Sequence, residues 1–398
     1  MKLDLILIDA FDEKYYEYCP FLSRLKKDNF SFDLTPIIGY QRHLASLFSG
    51  SWPKDINVWN TFRFSPQTSI FKWTLPFSFF KIFDYKFIKY FIDLISYLAA
   101  GVSDMMPVQI PIKIMNKFDI VLREPITALN SSVKPNFFNL LREHQISFSY
   151  FKGGLKYANK DSNKKFLANL IHLISRSDKR TIKNALKDNS DFKFIYLMEL
   201  DGLTHGSGVD SLETKNKLKE IDRLLEGYFK KSNRPFVIIS DHGVVEVKET
   251  IDIISEIDSL GFVLGRDYLV FLESVIAVFW FFNQKAEEKI ISALKEIKGG
   301  HILEKNEKRE FGIDFKDRQF GDLHFLLEPG KIIKPDYYRA KNTAKAMHGY
   351  SPNAYKGIFL TNLKINKQVE TINFIDIIPT IADFFGLGKI GQGRNLLD

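Results

Sequence analysis

Four short apolar runs, Leu3–Ile8, Phe194–Leu200, Phe236–Ser240 and Gly357–Leu360, constrain this chain more than any other feature. Each is too short for a core helix and too evenly apolar for a strand with one wet face, so each reads as a strand buried on both sides. Polar, helix-compatible stretches separate them, among them Pro20–Lys27 and the mixed-charge segment Lys215–Lys231, and Phe374–Phe385 reads as a closing helix. Alternation of this kind predicts an α/β fold, a mostly parallel sheet with helices on both faces. In such sheets ligands bind beyond the C-terminal ends of the strands.

Chemistry-bearing residues stand at those ends. Asp9 closes the first run, Asp201-x-x-x-His205 follows the second, Asp241-His242-Gly243 follows the third, and His348-Gly349-Tyr350 comes later. Alone, each has an ordinary explanation: a loop turn for Asp241-His242, a helix cap and a surface histidine for Asp201 and His205, a turn cap for Asp9. Together they supply three carboxylates and three imidazoles, enough for two divalent ions with positions left open. Zinc suits that donor set, with manganese as the second choice. Two such ions provide what transfer of a phosphoryl or sulfuryl group requires: charge on the equatorial oxygens, an activated nucleophile and a stabilised leaving oxygen.

Composition narrows the partners. The chain has 398 residues, 45% hydrophobic and 26% charged, as soluble globular proteins do. A net charge of +8 suits an anionic substrate, yet it is spread along the chain and forms no nucleic-acid-binding module. Cys19 is the single cysteine, which excludes an intrachain disulfide. The first apolar run contains Asp4 and delivers Asp9, which argues against a cleaved leader and for a cytoplasmic location, with peripheral membrane association as an option.

Two stretches interrupt the alternation. The stretch 62–151 is rich in Phe and Tyr and reads as an inserted helical cap over the site. Its 71–100 part, where aromatics mix with Lys81, Lys86 and Lys89 and with Asp84 and Asp93, also suits a membrane surface. The stretch 261–334, with a β-rich run at Leu269–Phe282 and a helix near Gln284–Lys298, reads as a small accessory subdomain.

With these motifs in order, the chain resembles the alkaline phosphatase superfamily, in particular its type I phosphodiesterase/nucleotide pyrophosphatase branch. The resemblance runs nearly end to end: Leu5–Asp9, Leu44–Pro53, Glu199–Gly208, Ile239–Gly243, Gly321–Gly330, Met347–Tyr350, Ile375–Gly386 and Gly393–Leu397 follow in family order. It implies a single alkaline phosphatase-like domain over 1–398. It also implies that Asp201, His205 and His348 hold one ion, and Asp9, Asp241 and His242 the other. The activity implied is hydrolysis of an anionic phosphoester, either a small molecule or a lipid- or glycan-linked substrate.

The sequence departs from the family at the nucleophile. Where the family has Ser, Thr or a modifiable Cys, counting back from Gly50 reaches Tyr40, and a one-residue shift reaches Gln41. Three accounts stay open: attack by the Tyr40 phenolate, attack by hydroxide with Tyr40 or Gln41 orienting the substrate, or loss of hydrolysis with a metal-dependent binding role retained. A phosphoryl or sulfuryl transferase is a further alternative. Thr35, Ser46 and Ser49 are the nearest other hydroxyls, and Arg42 and His43 are expected to meet the substrate's anionic oxygens.

Overall fold

The computed structural model describes residues 1–39, 42–102, 108–158, 177–338 and 343–397. Among the described residues, eight strands form the central sheet. Across it stand Ile372–Asn373, Phe30–Thr35, Gly357–Thr361, Phe236–Ile239, Leu3–Ile8, Phe192–Leu197, Phe148–Lys152 and Leu155–Ala158. Gly357–Thr361 and the edge strand Leu155–Ala158 run antiparallel to their neighbours, and the remaining pairings are parallel.

The pairing of the strand Leu3–Ile8 explains why its sequence is apolar at every position but Asp4. It pairs on one side with Phe192–Leu197 (Leu3 opposite Phe192, Ile8 opposite Leu197) and on the other with Phe236–Ile239. Leu3, Leu5 and Leu7 point into one core with Phe194, Tyr196, Val237 and Ile239. Ile6 and Ile8 point into the opposite core with Ile195, Leu197 and Ile238. Each fully buried aliphatic side chain contributes about 2 kcal/mol of stability, and both faces collect it. Asp4 is tolerated in this run because its carboxylate accepts from Tyr228 Oη (2.7 Å) and pairs with Arg234 Nε (2.8 Å).

A second, antiparallel sheet of four strands orders Tyr268–Leu272, Ile276–Phe281, Leu323–Leu327 and Gly300–Ile302, with the helix Gln284–Glu296 packed through Ala286, Ile290 and Leu294. The aromatic stretch after Phe62 shares this sheet's core. Ring centroids of Phe62 and Phe271, and of Phe118 and Trp280, are each 5.5 Å apart. The end of the expected 62–151 insertion needs correcting. Phe137–Glu143 packs against the central sheet, and Phe148–Lys152 is one of its strands, pairing in parallel with Phe192–Leu197.

Another boundary moves for a stated reason. The run expected over Phe194–Leu200 is a strand only to Leu197, and Leu200 belongs to the helix Glu199–Ser207. The buried Asp178 side chain accepts from the backbone of Met198 (2.9 Å) and of Glu199 (3.3 Å), capping that helix directly after the strand.

Candidate metal centre

Three strand ends and one paired loop converge. Asp9 follows Ile8, and its backbone donates to Leu197 O (2.9 Å). Asp201 and His205, one turn apart on the helix Glu199–Ser207, share a face. Asp241 and His242 follow the strand Phe236–Ile239, where Ser240 Oγ accepts from Phe11 N (2.8 Å) and donates to His242 O (2.7 Å), stapling this loop to the one after Asp9. Gly243 leaves no room for a side chain, since a Cβ there would lie 2.7 Å from Asp12 Oδ2 and 2.9 Å from Lys356 O. The short strand Ala346–Met347 pairs with Val245–Glu246, which carries His348 to the same place.

The six side chains form two groups, Asp201–His205–His348 and Asp9–Asp241–His242, with ligand atoms within 4.8 Å of one another in each. Asp201 Oδ1 lies 3.2 Å from His205 Nε2 and 3.4 Å from His348 Nε2. Asp9 Oδ1 and Asp241 Oδ2 each lie 3.5 Å from His242 Nε2. The groups adjoin: the His242 and His348 rings stack at 3.6 Å, 10° from parallel.

The hydrogen bonds fit a cation in each group. His205 Nδ1 donates to Ala346 O (2.7 Å) and His242 Nδ1 donates to Gly243 O (3.0 Å), which directs each Nε2 at the carboxylates. Asp201 Oδ1 and Asp241 Oδ2 are buried and neither accepts a well-aligned hydrogen bond; imidazole nitrogens face them instead. Three carboxylates crowded together in a buried site are costly without compensating positive charge.

The titration pattern tells the same story. Burial, then the charges of Asp241 and Asp201, push the Asp9 carboxyl well above its usual range. Burial would also raise Asp201, but His205 and His348 outweigh it and hold Asp201 well below that range. Asp241 is held down to about 2 against burial, by His242 and then His43. Burial would lower His205, yet Asp201 lifts it to about 9, whereas burial and His242 take His348 down to about 3. The proton between Asp201 and His205 thus stands where a metal ion would displace it.

Other expected residues are placed as follows. Tyr40 and Gln41 lie outside the described residues, as does His172. Gly39, just before them, donates to Gly349 O (3.2 Å). Arg42 is half-buried in the left-handed region (φ 58°) ahead of the helix His43–Ser49. His43, expected against the substrate's oxygens, sits with Nε2 3.0 Å from Asp241 Oδ2, because the turn at Arg42 directs it inward. Ser46 and Ser49 are buried in that helix, and Ser49 Oγ donates to Ser46 O. His144 is exposed, His301 pairs with Glu307, and the buried His324 bonds Phe320 O. Asp12 caps the turn at Lys14, and Glu246 is exposed.

Two contributors are invisible to motif reading. Tyr196 Oη donates to Asp9 Oδ2 (2.6 Å) from the neighbouring strand, and Asp178 caps the helix bearing Asp201 and His205. A tyrosine inside the apolar run Phe194–Leu197 was the available signal for the first. Nothing local signals the second.

A mostly parallel sheet with carboxylates and imidazoles gathered past its strand ends defines an α/β protein of alkaline phosphatase type. Murine ectonucleotide pyrophosphatase/phosphodiesterase 5 is similar over 100% of this chain and 97% of its own, with a TM-score of 0.66 at 14% identity. The human counterpart matches 99% and 97% of the two chains with a TM-score of 0.64 at 13% identity. An inactive variant of the murine protein in complex with AMP matches with a TM-score of 0.66 at 14% identity. No curated protein matches in sequence. The family described as type I phosphodiesterase / nucleotide pyrophosphatase matches residues 121–351, more than half of the chain and a span holding every residue of the two groups except Asp9. The chain belongs to that family of phosphoester hydrolases.

Proposed function

We propose that this protein is a dinuclear-metal hydrolase of an anionic phosphoester, with a nucleophile unlike that of its family. The observation that carries the proposal is the adjoining pair of Asp/His groups joined by the His242–His348 stack in a member of this family. Asp201, His205 and His348 would hold one divalent ion and Asp9, Asp241 and His242 the other, with zinc favoured by the donor set and manganese an alternative. Such ions supply charge for the phosphoryl oxygens and activate the attacking group. The chain's own work is to fix the ligands. Tyr196 holds Asp9, the carbonyls of Ala346 and Gly243 set the His205 and His242 tautomers, and His43 braces Asp241. The inactive murine relative in complex with AMP supports a substrate of the nucleotide or small phosphodiester kind, and a lipid- or glycan-linked phosphoester meets the same chemical requirement.

A second reading has its own support. No Ser, Thr or Cys stands at 40 or 41, and Ser46 and Ser49 are buried in their helix. A family member that binds metal without hydrolysis, or one that transfers the phosphoryl or sulfuryl group to another acceptor, fits that departure. Turnover of an aryl phosphodiester beside its monoester, measured after chelation and after restoring zinc or manganese, separates the readings. The hydrolase reading expects metal-dependent turnover that is lost in His348→Ala, and Tyr40→Phe then reports whether the phenol attacks. Metal-loaded protein that cleaves neither ester favours the binding role.

A further inference from the structure

The helix Lys86–Ala99 is apolar on its exposed face as well as its buried one. Its outward stripe is Phe87, Tyr90, Phe91, Ile95 and Leu98, spaced at three and four residues, while Ile92 and Tyr97 enter the core beside the buried Lys89, Asp93 and Ser96. A helix on a water-facing surface carries polar residues on its outward face instead. The two turns before it, Lys72–Phe77 and Lys81–Asp84, continue the exposure through Trp73, Leu75, Phe77 and Ile82, and between them Phe79 is 87% exposed; within the helix Phe87 is 72% exposed. Of the seventeen large apolar side chains exposed among the described residues, twelve fall between Trp73 and Leu98. Scattered exposed hydrophobics need no explanation, but a cluster of this kind marks an interaction surface.

Charge identifies the occupant. The segment 71–100 holds two acids, and both are engaged with the protein: Asp84 with Lys89 Nζ (2.9 Å) and Ile112 N (2.8 Å), Asp93 with Val108 N (3.0 Å). Lys72 and Lys86 are exposed. The outward face therefore combines Trp, Tyr and Phe with cations and presents no free carboxylate. Aromatic rings favour the boundary between headgroups and acyl chains, and lysines favour anionic headgroups. At fourteen residues the helix is about 21 Å long, which suits lying in the interface plane but not crossing it. Among the described residues no helix is long and apolar enough to cross a membrane.

We infer that the face formed by residues 73–98 docks onto an anionic lipid surface. The inference is independent of the hydrolase reading, because the test needs neither metal nor turnover. The full chain is floated with vesicles of phosphatidylcholine alone and of phosphatidylcholine mixed with phosphatidylglycerol. Two variants, Phe79→Ser/Phe80→Ser and Phe87→Ser/Phe91→Ser, are compared, with circular dichroism and melting temperature to verify folding. The expected result is flotation with the anionic vesicles that weakens at least about tenfold in either folded variant, since each removes two membrane-buried rings. Absence of flotation, or equal flotation of wild type and variants, overturns the inference. So does a dimer in sedimentation that the same substitutions split while no vesicle is bound, because the occupant is then a second copy of the chain.

Discussion

The two Asp/His groups contain nearly the same donors and are built differently. Asp9, Asp241 and His242 are buried at the ends of adjacent parallel strands, and their carboxylates are braced by Tyr196 and His43. Asp201 and His205 are half-buried on a helix, fixed from outside by Asp178 at its start and by Ala346 O at the His205 ring. The strand-end group is fully buried, and burial first, then the charges of Asp241 and Asp201, raise the Asp9 carboxyl. The helix-borne group is partly exposed at Asp201 and His205, and the elevated His205 balances the Asp201 charge. A tightly held ion is expected in the first and a more exchangeable one in the second, with the stacked His242 and His348 as the only ring-to-ring link between them among the described residues.

The largest effect is expected from Asp241→Asn with His242→Ala. Metal analysis should show one ion lost and the other kept, and full retention of both would remove the ligand assignment. His348→Ala comes next. Because its ring also packs on His242, both affinities should fall, the helix-borne group's more; an effect confined to one group would show that the stack does not couple them. Tyr196→Phe removes only the hydroxyl from Asp9 and should weaken the strand-end ion by about 10- to 100-fold, leaving the other unchanged in a competition titration.

The smallest effect on the ions should come from Asp178→Asn, whose influence is chiefly on stability. Burial, then Glu199, raises the Asp178 carboxyl to about 7. The unfolded chain therefore releases this proton first, and stability should fall as pH rises from about 4 through about 7, by up to about 4 kcal/mol. Denaturant unfolding of the metal-free Asp178→Asn variant across that range should show a flatter profile than wild type. An unchanged slope would locate the pH dependence elsewhere.

The positions of Asp9, Asp201 and Asp241 were legible because a continuous apolar run followed by an acid is local in sequence, and strand ends are where parallel sheets place their ligands. The end of the strand Phe192–Leu197 was not, because the capping carboxylate comes from Asp178, about twenty residues earlier. The bracing of Asp9 by Tyr196 and of Asp241 by His43 depends on contacts more than 180 residues apart, beyond any local pattern. Composition exposed the aromatic character of 71–100, but only packing reveals that Asp93 and Ser96 turn inward while Phe87 and Phe91 turn out. The resemblance carried over the ligand series and also exposed the departure at Tyr40 and Gln41.

The most direct test is to count the zinc ions bound per chain after chelation and reloading, with aryl phosphodiester turnover followed in the same samples. The account predicts that two ions bind per chain and that turnover returns only as both groups fill. Binding of no zinc or manganese by the folded chain, or turnover that survives complete chelation, would contradict it.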